Sequence, residues 1–269
     1  MDWKISCLTY GKLEFPKAVV TPNLDTDLRI WGPYLGFLLQ NGRRNILVDA
    51  GINTRFIKDG KAWGGFPAEG GEKHVLASLE KAGVSPKDIE MVIYTHLHND
   101  HAGNCHLFPE AQHVFQKDEW YELLEPLPHE KVREDYDQGA IPELQKLDRR
   151  IVTGNFQLAP GIMCYHTPGH TAGSMALTVD TTKGMYVITG DTTLWKCSLY
   201  PQMDKMISME GKEIKITPAP KTIGPAIPPI LVNSYFEWLK SVYLLKTLCE
   251  GPDFLLTGHD PSHTDKVFS

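Results

Sequence analysis

The chain has no surplus of basic residues: 27 Lys and Arg stand against 33 Asp and Glu, a formal net charge of −6. Without a positive field to attract a phosphate backbone, no nucleic-acid partner is expected and a nuclease is disfavoured. No apolar run approaches a membrane span, so no membrane association is expected. The first residues, Met1-Asp2-Trp3-Lys4-Ile5-Ser6-Cys7, lack the basic start and apolar run of a signal peptide. The five cysteines, Cys7, Cys105, Cys164, Cys197 and Cys249, contain no C-x-x-C pair. Such an odd, scattered set suggests reduced thiols in a cytoplasm. G-x-S-x-G, a Walker phosphate loop and G-x-G-x-x-G are all missing, which removes the common serine-hydrolase and nucleotide-binding signatures.

What is present is concentrated in Tyr94-Thr95-His96-Leu97-His98-Asn99-Asp100-His101-Ala102-Gly103-Asn104. Three histidines and one aspartate lie within six residues, directly after the apolar, β-favouring run from Met91 to Tyr94. A lone histidine is usually structural, and a His-x-His pair is weak evidence. The full His-x-His-x-Asp-His spacing at the end of a strand points to a metal site. Cys105 lies beside it, and a small buried residue is the simpler reading of that thiol.

Around this motif the 269 residues have ordinary globular proportions, 42% hydrophobic and 22% charged, enough for one large domain or two small ones. Residues 1–30 read as short strands broken by turns. Residues 34–39 and 45–49 are apolar runs joined by an Asn41-Gly42 turn, which predicts a hairpin. Asp49 ends the second run, either as a partner for a ligand histidine or as a turn cap. The glycine-rich residues 52–71 suit a mobile loop over a site. Helical spacing is found over 72–82, 117–125 and 233–249, with Phe236, Leu239, Val242, Tyr243 and Leu245 to Leu248 largely on one side of the last. His106, His113 and His129 lack ligand-like spacing and read as structural or exposed. Residues 196–232 hold many Pro and Met residues. This insert reads as a packing arm, a dimer contact or a substrate wall of Met, Leu194 and Trp195, and the wall is preferred.

Metal-capable residues also close three later strands: His170 in Thr167-Pro168-Gly169-His170, Asp191 after Gly190, and His259 after Gly258. With the cluster at 96–101 they make five histidines and two carboxylates, enough for two divalent metal ions. Imidazole and carboxylate donors without thiolate suit zinc best, and iron, manganese or cobalt are compatible. Two neighbouring ions would create hydroxide near neutral pH, polarise a carbonyl or phosphoryl oxygen and accept the leaving oxygen.

The motifs His96 to His101, Thr167 to His170, Gly190-Asp191 and Gly258-His259 resemble those of the metallo-β-lactamase superfamily, and within it the N-acyl-homoserine lactonase-like branch. The similarity runs from Ile46-Leu47-Val48-Asp49-Ala50-Gly51 to Gly258-His259-Asp260 and includes Leu158-Ala159-Pro160-Gly161. The resemblance implies a single α/β domain over 1–269, a four-layer αββα sandwich with the site at one edge of its two sheets. It implies that His96, His98 and His170 bind one metal, that Asp100, His101 and His259 bind the other, and that Asp191 bridges them together with a hydroxide. Asp49 would support a ligand, and Asp100 could also carry a proton to the leaving group. Two departures fall where a substrate would be selected. Leu194 stands where these lactonases place a tyrosine, and the segment between Asp191 and His259 is longer than theirs.

The expected activity is therefore dinuclear metal-dependent hydrolysis of a lactone or small carboxylic ester, an acyl-homoserine lactone among the candidates. The alternatives are a glyoxalase II-like thioesterase, a phosphodiesterase and a catalytically silent ligand-binding member. The expected partner is a small molecule with an apolar portion, and a homodimer is compatible with the insert.

Overall fold

The computed structural model describes residues 2–269. The alternation expected of strands buried on both faces decides its layers. In the strand Lys4–Pro16, Ile5 and Cys7 join one core while Leu8, Tyr10, Leu13 and Phe15 join another. Phe37 and Leu39 face the first core and Leu38 the second. Ile46 and Val48 against Leu47 repeat the pattern.

The larger sheet runs in the order Lys61–Ala62, Phe66–Gly70, Lys4–Pro16, Arg29–Gln40, Asn45–Val48, Met91–Ile93, Gln112–Gln116 and Asp148–Val152. The strand Val267–Phe268 adds to it beside Lys4–Pro16. A smaller sheet contains Leu255–Leu256, Gly184–Ile188, Met175–Thr181, Ile162–His166 and Phe156–Ala159. Between the sheets lies a core built from Leu35, Phe37, Val48 and Ile93 on one side and Cys164, Leu177, Val179 and Ile188 on the other. The helix Glu72–Lys81 covers the outer face of the larger sheet through Val75 and Leu79, and Lys117–Leu124 through Leu123. The helix Tyr235–Leu248 covers the smaller sheet through Trp238, Val242 and Leu245. Helix, sheet, sheet, helix is the expected αββα sandwich.

Arg29–Gln40 and Asn45–Val48 pair antiparallel, with Gly42 at φ 80°, as the Asn-Gly turn predicts. Four expectations need correction. The first thirty residues hold one long strand, because a register shift between Thr9 and Lys12 lets Lys4–Pro16 bend without breaking its pairing. Residues 52–71 are only in part a loop, since Lys61–Ala62 and Phe66–Gly70 extend the larger sheet. On the helix Tyr235–Leu248 the buried stripe is Trp238, Ser241, Val242 and Leu245, while Phe236 and Tyr243 are exposed. Within the insert, Met206 is buried in the outer core with its sulfur against that of Cys197, and Met203 packs beside it. The insert is tied to the N-terminal turn, where Asp25 accepts from Thr217 N and Oγ1 and pairs with the buried Lys17. All five cysteines are buried and free. No helix among the described residues is long and apolar enough to cross a membrane.

Candidate metal centre

Each of the four chain segments that carry the candidate residues leaves a strand at its C-terminal end. Met91–Ile93 leads to His96, and His98 opens the turn Asn99–Ala102 that holds Asp100 and His101. Ile162–His166 leads to His170, Gly184–Ile188 to Asp191, and Leu255–Leu256 to His259. The first segment belongs to the larger sheet and the other three to the smaller. The seven side chains therefore meet at the edge where the sheets come together.

Four overlapping groups form: His96, His98 and His170; His96, His101 and Asp191; Asp100, His101 and His259; and, reaching outside the seven, His98 with Glu130 and Asp135. Within each group the donor atoms lie within 4.8 Å of one another. His98 Nδ1 is 3.1 Å from both His96 Nε2 and His170 Nε2. Asp191 lies between the groups: Oδ2 is 3.1 Å from His259 Nε2 and 3.8 Å from His170 Nε2, and Oδ1 is 3.5 Å from His101 Nε2.

The opposite ring nitrogens explain these orientations. His101 Nδ1 meets Asp49 Oδ2 at 2.9 Å, His170 Nδ1 meets Leu231 O at 2.7 Å, and His259 Nδ1 meets Pro33 O at 2.9 Å. His96 Nδ1 is 3.1 Å from Thr95 Oγ1. Each Nδ1 tied to an acceptor in the protein leaves its Nε2 lone pair for the common volume, the arrangement by which surrounding groups orient metal-binding imidazoles. Of the two roles considered for Asp49, the structure shows the histidine partner and not the turn cap. Asp49 accepts from Thr95 N and Oγ1, each at 2.8 Å, and it faces His101.

Buried polar atoms normally find partners, yet His101 Nε2 and Asp191 Oδ1 have no hydrogen-bond partner among the described residues. Burial, reinforced by the neighbouring imidazoles, holds His96 well below its ordinary pKa and His170 down to about 4. Both are thus neutral and able to donate a lone pair near pH 7. Burial acts on the other three imidazoles too, but carboxylates outweigh it, raising His98 beside Glu130, His101 well up beside Asp191 and Asp100, and His259 beside Asp191. The orphaned donors, the two neutral imidazoles and the all-nitrogen-and-oxygen set fit divalent cations. A side chain at Gly258 would put its Cβ 2.1 Å from Asp191 Oδ1, so only glycine lets that carboxylate approach.

Above the cluster a cavity is walled by Leu13, Phe15, Phe56, Trp63, Leu194 and Leu231, with Tyr34 beside them. It shares Val19, Trp63, Arg133, Glu134 and Leu231 with a neighbouring groove that adds Phe66, Val132 and Ile230. Leu194 is in the wall, as expected. Trp195 and the methionines are not, because Trp195 is fully buried and stacks on Phe15. The residues set aside as structural are so: His113 is buried between Tyr94 OH and Phe108 O, His106 meets Glu72, and His129 meets Asn233.

Sequence reading passed over the carboxylates around His98. Glu130 Oε1 lies 4.0 Å from His98 Nε2. Glu119 is fully buried on the helix stripe that carries Leu123, and a charge on an apolar stripe is the signal that could have found it.

Comparison with known proteins gives the family and the fold. An N-acyl homoserine lactonase of a Bacillus species is 30% identical over 187 residues, which cover 66% of this chain and 70% of that protein. A solved N-acyl homoserine lactone hydrolase with N-hexanoyl-L-homoserine at its catalytic metal centre superposes with a TM-score of 0.73 at 22% identity, covering 97% of this chain and 94% of that one. AidC, described as a dizinc quorum-quenching lactonase, gives a TM-score of 0.66 at 19% identity, covering 96% and 87%. At those identities the two structural likenesses are ones of fold. The family model described as the metallo-beta-lactamase superfamily matches residues 29–236. That match takes in the histidine cluster, the His170 turn and Asp191, and it establishes that the chain belongs to the metallo-beta-lactamase superfamily.

Proposed function

We propose that this chain is a dinuclear metal-dependent hydrolase that opens a lactone or small carboxylic ester, with acyl-homoserine lactones the first candidates. The observation that carries the reading is the convergence of five imidazoles and two carboxylates from two sheets beneath an apolar cavity. His96, His98 and His170 would hold one ion, Asp100, His101 and His259 the other, and Asp191 both. Zinc suits the donors best, and iron, manganese and cobalt share their chemistry. We also read residues 1–269 as one functional domain, the insert at 196–232 being part of it.

When bound, two divalent ions supply Lewis acidity toward water and the ester carbonyl. Asp49 keeps the His101 ring turned so that Nε2 serves the site. Asp100, with its side chain 22% exposed, is the most open of the proposed ligands and would carry the proton from the attacking water to the leaving oxygen. The apolar wall excludes water and receives a hydrocarbon portion of the substrate, for which the adjoining groove gives further room. The related lactonases named above act on, or hold products of, acylated homoserine, and this agrees with such a substrate.

A hydrolysis screen of the metal-loaded protein tests the proposal. It should include acyl-homoserine lactones, simple γ- and δ-lactones, aryl esters, glutathione thioesters and a phosphodiester. Turnover of lactones or esters is expected, and Asp191→Ala should abolish it while the fold survives. A pure phosphodiesterase or thioesterase profile would overturn the substrate class. Full turnover by Asp191→Ala at saturating metal would remove Asp191 from its bridging role.

A further inference from the structure

Glu119 is a fully buried acid whose hydrogen-bond partners are backbone N–H groups and hydroxyls. Leaving a carboxylate in such a place is costly unless several donors satisfy it. Its Oε2 accepts from Leu97 N at 2.7 Å. Its Oε1 accepts from Gly173 N at 3.0 Å and from Thr171 Oγ1. The Tyr136 hydroxyl lies 3.3 Å from Glu119 Oε2 and 3.0 Å from Glu122 Oε2, and its single proton is shared between them. Glu122, one turn further along the helix, accepts from Ala172 N at 3.0 Å.

The identity of these donors is the point. Leu97 is the residue between His96 and His98, and Thr171 follows His170 directly. Two loops far apart in sequence and issuing from different sheets carry the three imidazoles of one group, and both are hydrogen-bonded to the same side chain. The approach is close: a Cβ on Gly173 would lie 2.6 Å from Glu119 N. Tyr136 completes the support, with its ring edge-on to His98 at a centroid distance of 4.7 Å.

We infer that Glu119 is a positioning residue that sets the spacing between the His96–His98 loop and the His170 turn, and through it the affinity of the three-imidazole site for its ion. The inference rests on the reading of those histidines as metal ligands. A glutamine at this position keeps the shape but turns one acceptor into an amide N–H₂; the Thr171 hydroxyl can reverse and accept from it, whereas the backbone N–H of either Leu97 or Gly173 is left facing a donor, so one of the two loops loses its backbone hydrogen bond.

The test is competition for zinc against a chromophoric chelator, together with cobalt absorption spectra and thermal melts of the metal-free protein. Glu119→Gln is expected to weaken one of two ions by roughly 10- to 100-fold, the range seen when groups supporting a ligand are removed. The cobalt spectrum should change for that ion only, and the metal-free protein should stay folded. Thr171→Val, which removes one donor, should shift the same ion in the same direction by less. Wild-type affinity for both ions in Glu119→Gln overturns the inference alone. If Glu119→Gln fails to fold, Thr171→Val decides: an unchanged affinity overturns the inference and a selective loss sustains it. A wild-type protein that takes up no ion overturns the metal reading and this inference with it.

Discussion

Tyr34 brings into the cavity wall a hydroxyl that makes no hydrogen bond within the described protein, although the residue is only 2% exposed. Its ring stands edge-on to His259 at 6.0 Å, next to the cluster, while Leu194 in the same wall offers only hydrocarbon. A polar substrate oxygen is the natural partner for this hydroxyl. Tyr34→Phe is expected to raise KM about five-fold with kcat little changed, since a net hydrogen bond contributes about 1 kcal/mol. Steady-state kinetics on the preferred substrate would show it, and an unchanged KM would remove Tyr34 from substrate binding. At this scale the histidines were legible because their local spacing places them where strands end. Glu119 and Tyr34 were not. A glutamate in the first turn of a helix reads as an exposed charge favoured by the helix dipole, and only tertiary packing turns it inward. An aromatic in a strand reads as core, and nothing local says that its hydroxyl lies unpaired beside a site.

The helix Tyr235–Leu248 supports the site from outside the smaller sheet. Trp238 Nε1 donates to Thr192 O at 2.8 Å, one residue from Asp191, and Ser241 Oγ donates to Pro168 O at 2.7 Å, two residues before His170. Trp238→Ala would remove that bond and a large part of the outer core. A loss of about 3–5 kcal/mol is expected, measurable by denaturant unfolding of the metal-free protein. Trp238→Phe should lose only about 1 kcal/mol. Equal, small losses would mean that the helix merely covers the sheet. Turn chemistry made the Arg29–Gln40 and Asn45–Val48 hairpin legible, and 3.6-residue periodicity did the same for the Glu72–Lys81 helix. The long first strand was hidden because a bulge breaks its alternation. The buried face of the last helix was misread because apolar residues surround it, and only the sheet it packs on selects Trp238 and Val242 over Phe236 and Tyr243.

Across the whole molecule, the two sheets contribute complementary halves of the site. The larger brings His96, His98, Asp100 and His101, and the smaller brings His170, Asp191 and His259. One buried cluster joins the two sheets and another lies on the outer face of each, so the fold is expected to survive removal of the ions. Ions that bind only the native arrangement still add stability, about 4 kcal/mol at a thousand-fold excess over Kd. Treatment with a chelator should therefore lower Tm and abolish hydrolysis, and adding back zinc, iron, manganese or cobalt should restore both to different degrees. Calorimetry and turnover on the same samples check this. Retained hydrolysis with no metal left would sink the metal-dependent mechanism. The layered class could be read from strands followed by loops with helices between them, whereas the pairing of Val267–Phe268 with the first strand is a long-range contact that no local pattern encodes.

The buried sulfurs bear on how any such measurement is read. Burial pushes Cys105 and Cys197 up to about 12, and Cys7 and Cys164 further still. It is the thiolate that captures soft cations and reacts with oxidants, and near neutral pH these four hold almost none. In the folded protein they are silent bystanders. Zinc counted per chain then carries no contribution from these four sulfurs, and comparing the count in Cys249→Ser checks the fifth.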